Sequence, residues 1–151
     1  MGALAQEMAQ LGYDSVVRLD KRSPCLIAAV SGLPSPDGIA LFYKRTKLEL
    51  DESWVADDVD AFKRKVIVAR FLSRDTGDFI VIATTHLDSK KNEAGEVTRA
   101  KQTRMLLTDV EKAVYTVDKK PSAVFVLGDF NAIRGEKCHV RTRPRAHFCR
   151  H

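Results

Sequence analysis

The chain has 151 residues, 44% hydrophobic and 30% charged, which suits one compact domain and excludes both a low-hydrophobicity disordered chain and a fibre. All of the formal +5 falls after Glu136, where Lys137, Arg141, Arg143, Arg145 and Arg150 stand without an acid, so the body of the chain carries no net basic footprint for nucleic acid. The longest apolar runs, 26–30 and 79–83, fall far short of the roughly 18 consecutive apolar residues of a membrane span, and no basic residue precedes Arg18, so neither a membrane contact nor a secretory leader is expected.

In chain order, Leu4, Met8 and Leu11 recur at helical spacing and are followed by Gly12, which predicts a short helix with a glycine stop. Residues 13–19 and 25–30 are rich in β-formers, the proline-rich stretch 32–38 reads as a loop, and 39–44 reads as a strand. The acidic stretch 51–60 is expected to be a solvated loop or a helical turn around Trp54. Residues 66–72 and 79–85, joined through Asp75-Thr76-Gly77, predict a hairpin. Between 97 and 117, Leu106, Val110, Ala113, Val114 and Val117 follow the 3.6-residue period and predict a long amphipathic helix. The apolar run 123–127 predicts a strand buried on both faces. Helix, strands, helix and strand in this order predict an α/β layered domain.

Composition changes near residues 133–136, which predicts a domain over 1–135 and a basic, disordered tail over 136–151. The three cysteines, Cys25, Cys138 and Cys149, are odd in number and follow no leader. They are expected to be reduced thiols of an intracellular protein, cytoplasmic or nuclear, with no disulfide-linked partner. Cys138, His147, Cys149 and His151 lack paired Cys-x-x-Cys spacing, so zinc is not expected there.

Three groups of residues could carry chemistry. In Gly128-Asp129-Phe130-Asn131, strand alternation puts Asp129 and Asn131 on one side at a strand's carboxyl end, where open sheets build sites. A carboxylate and an amide there could bind a hydrated cation, orient a water or meet a phosphoryl oxygen; a polar turn is the plain alternative. His86 ends the apolar strand before Leu87 and is either a structural histidine or a donor to a phosphate oxygen. Arg99 and Gln102 share a helix face, and Lys90, Lys91 and Lys101 make the neighbouring segment basic, either as solvated surface or as a polyanion site.

Together and in this order, Asp37-Gly38, Thr85-His86-Leu87, the Arg99-x-x-Gln102 pair and Gly128-Asp129-Phe130-Asn131 resemble the endonuclease/exonuclease/phosphatase superfamily. Leu11-Gly12-Tyr13, Ser23-Pro24-Cys25-Leu26 and the segment from Asp37 to Tyr43 resemble its nocturnin and deadenylase branch. The resemblance implies a four-layer β-sandwich flanked by helices, and a phosphohydrolase that uses magnesium, or manganese in its place, on RNA or nucleotide substrates. Carried over by motif, Asp129 orients or activates the attacking water and Asn131 stabilises the pentavalent phosphorus, with the metal at Asp129 and Asn131. His86 contacts the phosphate, Arg99 and Gln102 brace the site, and Lys90, Lys21, Arg22 and Asp37 contact substrate.

Two departures qualify this. The family's metal-binding glutamate belongs on a strand well upstream of the Leu-Gly-Tyr segment; Glu7, five residues before Gly12 and inside the first helix, does not match it. No Ser-Asp-His follows Asn131 to supply the closing Asp-His pair. A partial domain, incomplete at both ends and with little hydrolytic activity of its own, is therefore expected, as is an unpaired edge at the last strand. A non-catalytic half-domain that binds RNA or a protein partner is the alternative reading.

Overall fold

A computed structural model describes residues 3–24, 36–55, 65–115 and 119–132. Expectations for the strand at 25–30, for residues 32–35 of the proline-rich loop and for the tail with its cysteines and histidines lie outside these residues, whereas residues 36–38, expected in that loop, are paired as strand.

Helix α1 (Ala3–Gln10) ends at Gly12, whose φ of 84° is one that a side chain would disfavour. Among the described residues, six strands and one further helix follow: β1 (Tyr13–Pro24), β2 (Pro36–Lys44), β3 (Leu48–Val55), β4 (Lys65–Ser73), β5 (Phe79–His86), α2 (Glu93–Tyr115) and β6 (Ala123–Asp129). β1 and β2 form an antiparallel pair. The other four make one sheet in the order β3-β4-β5-β6, antiparallel except between β5 and β6. Parallel neighbours need a crossover connection, and α2 is that crossover.

Strand period explains the layers. Val66 and Val68 of β4 and Val81 and Ala83 of β5 turn to Leu106, Val110 and Ala113 on α2. The intervening Ile67, Ala69 and Phe71 turn to the opposite face and pack on Val16 of β1 and Leu41 of β2. Helix, four-stranded sheet and two-stranded sheet are thus stacked, with β4 buried on both sides. This is the α/β layered arrangement that the order of elements in the sequence predicts. No helix among the described residues is long and apolar enough to cross a membrane.

Two expectations are corrected. Residues 51–55 are not a loop but the second half of β3, paired with β4 from Glu52↔Arg70 to Val55↔Ile67. Asp51 sits in a bulge between Leu50 and Glu52, and its carboxylate meets the buried guanidinium of Arg70, which also lies 4.5 Å over the Phe79 ring. Asp51 and Glu52, two of the acids that suggested a loop, are those of an exposed edge strand. β6, in turn, is not buried on both faces: Val124, Phe125 and Leu127 are 38%, 43% and 50% exposed. Among the described strands only β5 pairs with β6, and of its apolar side chains Val126 packs against the core beneath α2. α2 begins at Glu93, four residues before the sequence pattern suggests, because Asn92 caps it by accepting the Gly95 amide at 2.9 Å.

Candidate active site

Because β5 and β6 run parallel, their carboxyl ends reach the same rim of the sheet, and the register places His86 opposite Asp129. Gly128 permits that approach. Its φ is +132°, and a Cβ there would stand 2.0 Å from the Thr85 carbonyl oxygen, so no other residue lets β6 lie this close to β5. The result is a His86 Nε2 to Asp129 Oδ2 separation of 3.8 Å, with side-chain exposures of 39% and 64%: close enough to share a ligand and open to solvent.

Backbone bonds lace Asn131 to the same rim. Its amide donates to Asp129 Oδ1 at 2.9 Å, in a turn that carries Asn131 to a φ of 49°, a conformation asparagine tolerates better than most residues. The side-chain Nδ2 donates to the Leu87 carbonyl at 2.9 Å, and the Leu87 amide donates to the Asp129 carbonyl at 2.9 Å. These bonds and the His86–Asp129 approach join the three residues at one rim of the sheet, and the Asn131 amide group has a second N–H beyond the one given to Leu87.

The loop after His86 is fastened to α2. Arg99, 1% exposed, donates through Nη1 to the carbonyls of Asp88 at 3.0 Å and Lys90 at 2.6 Å, and its Nη2 lies 3.0 Å from the Glu96 carboxylate. Gln102, 2% exposed, accepts the Asp88 amide at 2.9 Å. Gly95 lets the loop sit against the helix, since a Cβ there would meet the Lys90 carbonyl at 2.1 Å. Lys90 donates its amide to the Asp88 carboxylate and leaves its ammonium in solvent beside Lys91. Lys21 and Arg22 lie in β1 and Asp37 in β2; their side chains are outside the described residues.

Sequence reasoning missed the Leu87 backbone, the Asn92 cap, Gly95 and the spacing role of Gly128. The cap carried a readable signal, an asparagine directly before a helical pattern, whereas backbone carbonyls carry none.

A divalent cation is a demanding guest for this rim. Magnesium asks for six oxygen ligands in octahedral geometry. Asp129 offers one carboxylate with an oxygen already bonded to the Asn131 amide, and no three His, Cys, Asp or Glu groups converge among the described residues. The residues present do not fit a self-sufficient metal centre. The thermal midpoint of the chain is accordingly expected to be the same in millimolar magnesium and in EDTA; a rise of several degrees with magnesium would reveal a site that this donor set does not provide.

No family model matches the chain. Nocturnin of Drosophila melanogaster is 32% identical over 117 residues, which are 73% of this chain and 16% of that protein. Among solved structures, the human Nocturnin catalytic domain with bound sulfate anion superposes with a TM-score of 0.73 at 27% identity, over 91% of this chain and 50% of that one. ANGEL2, a 2′,3′-cyclic phosphatase in complex with adenosine-2′,3′-vanadate, gives 0.68 at 18% identity over 89% of this chain and 37% of that one. An endonuclease/exonuclease/phosphatase family protein of Bacteroides thetaiotaomicron gives 0.61 at 19% identity over 89% and 48%. The last two attest the fold alone. This chain spans half the length of the human domain and less of the other relatives compared.

Proposed function

This chain belongs to the endonuclease/exonuclease/phosphatase superfamily, on its nocturnin-like branch, and from that premise we propose that the β5–β6 rim is the phosphoryl-handling part of a phosphoester hydrolase site acting on RNA ends or nucleotides. The observation that carries this reading is the convergence of His86, Asp129 and Asn131, with 3.8 Å between Nε2 and Oδ2 and Asn131 anchored through Leu87.

Phosphoryl transfer asks little covalent chemistry of a protein and much positioning and charge balance. Asp129 Oδ2 is an acceptor that orients a water by taking up one of its protons in a hydrogen bond. His86 and the remaining N–H of Asn131 Nδ2 are donors for two non-bridging oxygens of the phosphoryl group. Lys90 and Lys91 meet flanking phosphates as mobile point charges, and Lys21, Arg22 and Asp37 enter this reading as substrate contacts on the family resemblance alone. In this reading the site is contained in residues 1–135.

A second reading, a half-domain that binds RNA without cleaving it, is favoured by the lack of a third acidic or histidine group at the rim among the described residues. Both readings predict binding, and turnover separates them. Titrating a short oligoadenylate is expected to shift the resonances of the His86 ring, the Asn131 side-chain amide and Lys90, and to leave Thr76 and Gly77, at the opposite end of β5, unmoved. Slow hydrolysis that Asp129→Asn removes supports the enzyme; binding without any hydrolysis supports the second reading. No response at His86 and Asn131 would remove the basis of both.

A further inference from the structure

Between β5 and α2 the chain passes through one peptide group that is bonded at both ends. The Asp88 N–H donates to Gln102 Oε1 at 2.9 Å, and the Leu87 carbonyl accepts the Asn131 side-chain Nδ2 at 2.9 Å. The carbonyl of Leu87 and the N–H of Asp88 belong to a single planar trans unit and point in opposite directions. The side-chain amide of Gln102, the 87–88 peptide and the side-chain amide of Asn131 therefore form a chain of three amides running from α2 to the rim.

Chemistry leaves that chain one orientation. A peptide N–H only donates and a peptide oxygen only accepts, so Gln102 must turn its oxygen to Asp88 and Asn131 its nitrogen to Leu87. Gln102 and Leu87 are both buried, and hydrogen bonds in a row away from water polarise and strengthen one another. The Asn131 backbone is held separately, through its amide to Asp129 Oδ1, so what the relay acts on is the direction of the side chain. Arg99, on the same face of α2, takes the carbonyls of Asp88 and Lys90, which belong to later peptides and lead away from Asn131.

We propose that Gln102 is a positioning residue for Asn131, setting the direction of its side-chain amide through the 87–88 peptide, whereas Arg99 positions the Lys90 segment. Asn131 then meets a phosphoryl oxygen with its amide plane already set, which is how a donor avoids reorganising when charge develops. What Asn131 does to a ligand rests on the phosphoryl reading; the relay itself is a property of the unliganded chain.

Nuclear magnetic resonance of the full chain is the test. In the unaltered chain a scalar coupling is expected across each bond, from the Asp88 nitrogen to the Gln102 side-chain carbonyl carbon and from Asn131 Nδ2 to the Leu87 carbonyl carbon. Gln102→Met keeps the bulk and removes the acceptor, so the bonded N–H of Asn131 is expected to move upfield and to exchange faster with water. Gln102→Glu keeps an acceptor oxygen and is expected to retain the signal, and Arg99→Lys is expected to shift the Lys90 amide but not the Asn131 side chain. Oligoadenylate affinity adds a reading that a merely structural role would not give: Gln102→Met weakens it about fivefold, and no further once Asn131 is already alanine. Absence of any oligoadenylate response would remove the phosphoryl reading, and the signals of the unliganded chain would still decide the relay. A missing coupling across either bond, an Asn131 signal that Gln102→Met leaves in place or that Arg99→Lys moves as far, or affinity losses of Gln102→Met and Asn131→Ala that add, would overturn the proposal.

Discussion

Replacing Gly128 by alanine is expected to cost roughly 3 kcal/mol of folding stability, the combined scale of an unfavourable φ and of a buried steric conflict. The position has both faults. Its φ is +132°, and the new Cβ would lie 2.0 Å from the Thr85 carbonyl oxygen, a backbone atom held inside the sheet that cannot step aside. Gly77→Ala is the control: there φ is +72° with nothing within 4 Å, and the cost is expected near 1 kcal/mol. Urea unfolding of the two variants separates backbone strain from contact, and equal losses would contradict the account of why β6 lies so close to β5. Because Gly128 directly precedes Asp129, the variant is also expected to lose the oligoadenylate response at His86 while β3, β4 and α2 remain folded.

Arg99→Ala is the second large effect, expected at about 3 kcal/mol from lost packing together with two orphaned carbonyls. Arg99 is 1% exposed, and its Nη1 serves Asp88 and Lys90 at once. Removing it frees the segment between His86 and α2, so amide exchange of residues 88–91 should accelerate. Arg99→Lys is expected to recover only part of the loss, since an ammonium has the charge without the planar fork. A loss below 1 kcal/mol, with unchanged exchange in that loop, would show that Gln102 and the Asn92 cap hold the segment without Arg99.

How far the sequence discloses the fold depends on whether a feature is local. The β4–β5 hairpin is legible because Thr76-Gly77 sits between two runs of β-formers, and Gly77 adopts the positive φ that such a turn requires. α2 is legible from its period, although its start is set by a single capping asparagine. β3 is obscured because its acids face solvent at an edge and its bulge interrupts alternation, while its partner Arg70 lies 19 residues away from Asp51. The strand character of β6 can be read and its burial cannot, because burial depends on a neighbouring layer that local composition does not report.

The site divides in the same way. His86 and Asp129 can each be recognised at a strand's end, but their adjacency depends on a parallel register that α2 and Gly128 impose together. Asn131 is legible as a turn former, whereas its tie to Leu87 runs through a carbonyl that any residue would supply. Lys21, Arg22 and Asp37 rest on family resemblance alone.

The measurement that tests the central claim most directly is a double-substitution cycle in oligoadenylate affinity, with His86→Ala, Asn131→Ala and the pair compared with the unaltered chain. If the two residues hold one phosphoryl group between them, the double variant is predicted to lose little more than either single variant, a coupling of roughly 1 kcal/mol or more. Losses that simply add, to within about 0.3 kcal/mol, would mean that His86 and Asn131 act on separate ligands, and the rim would not be a single site.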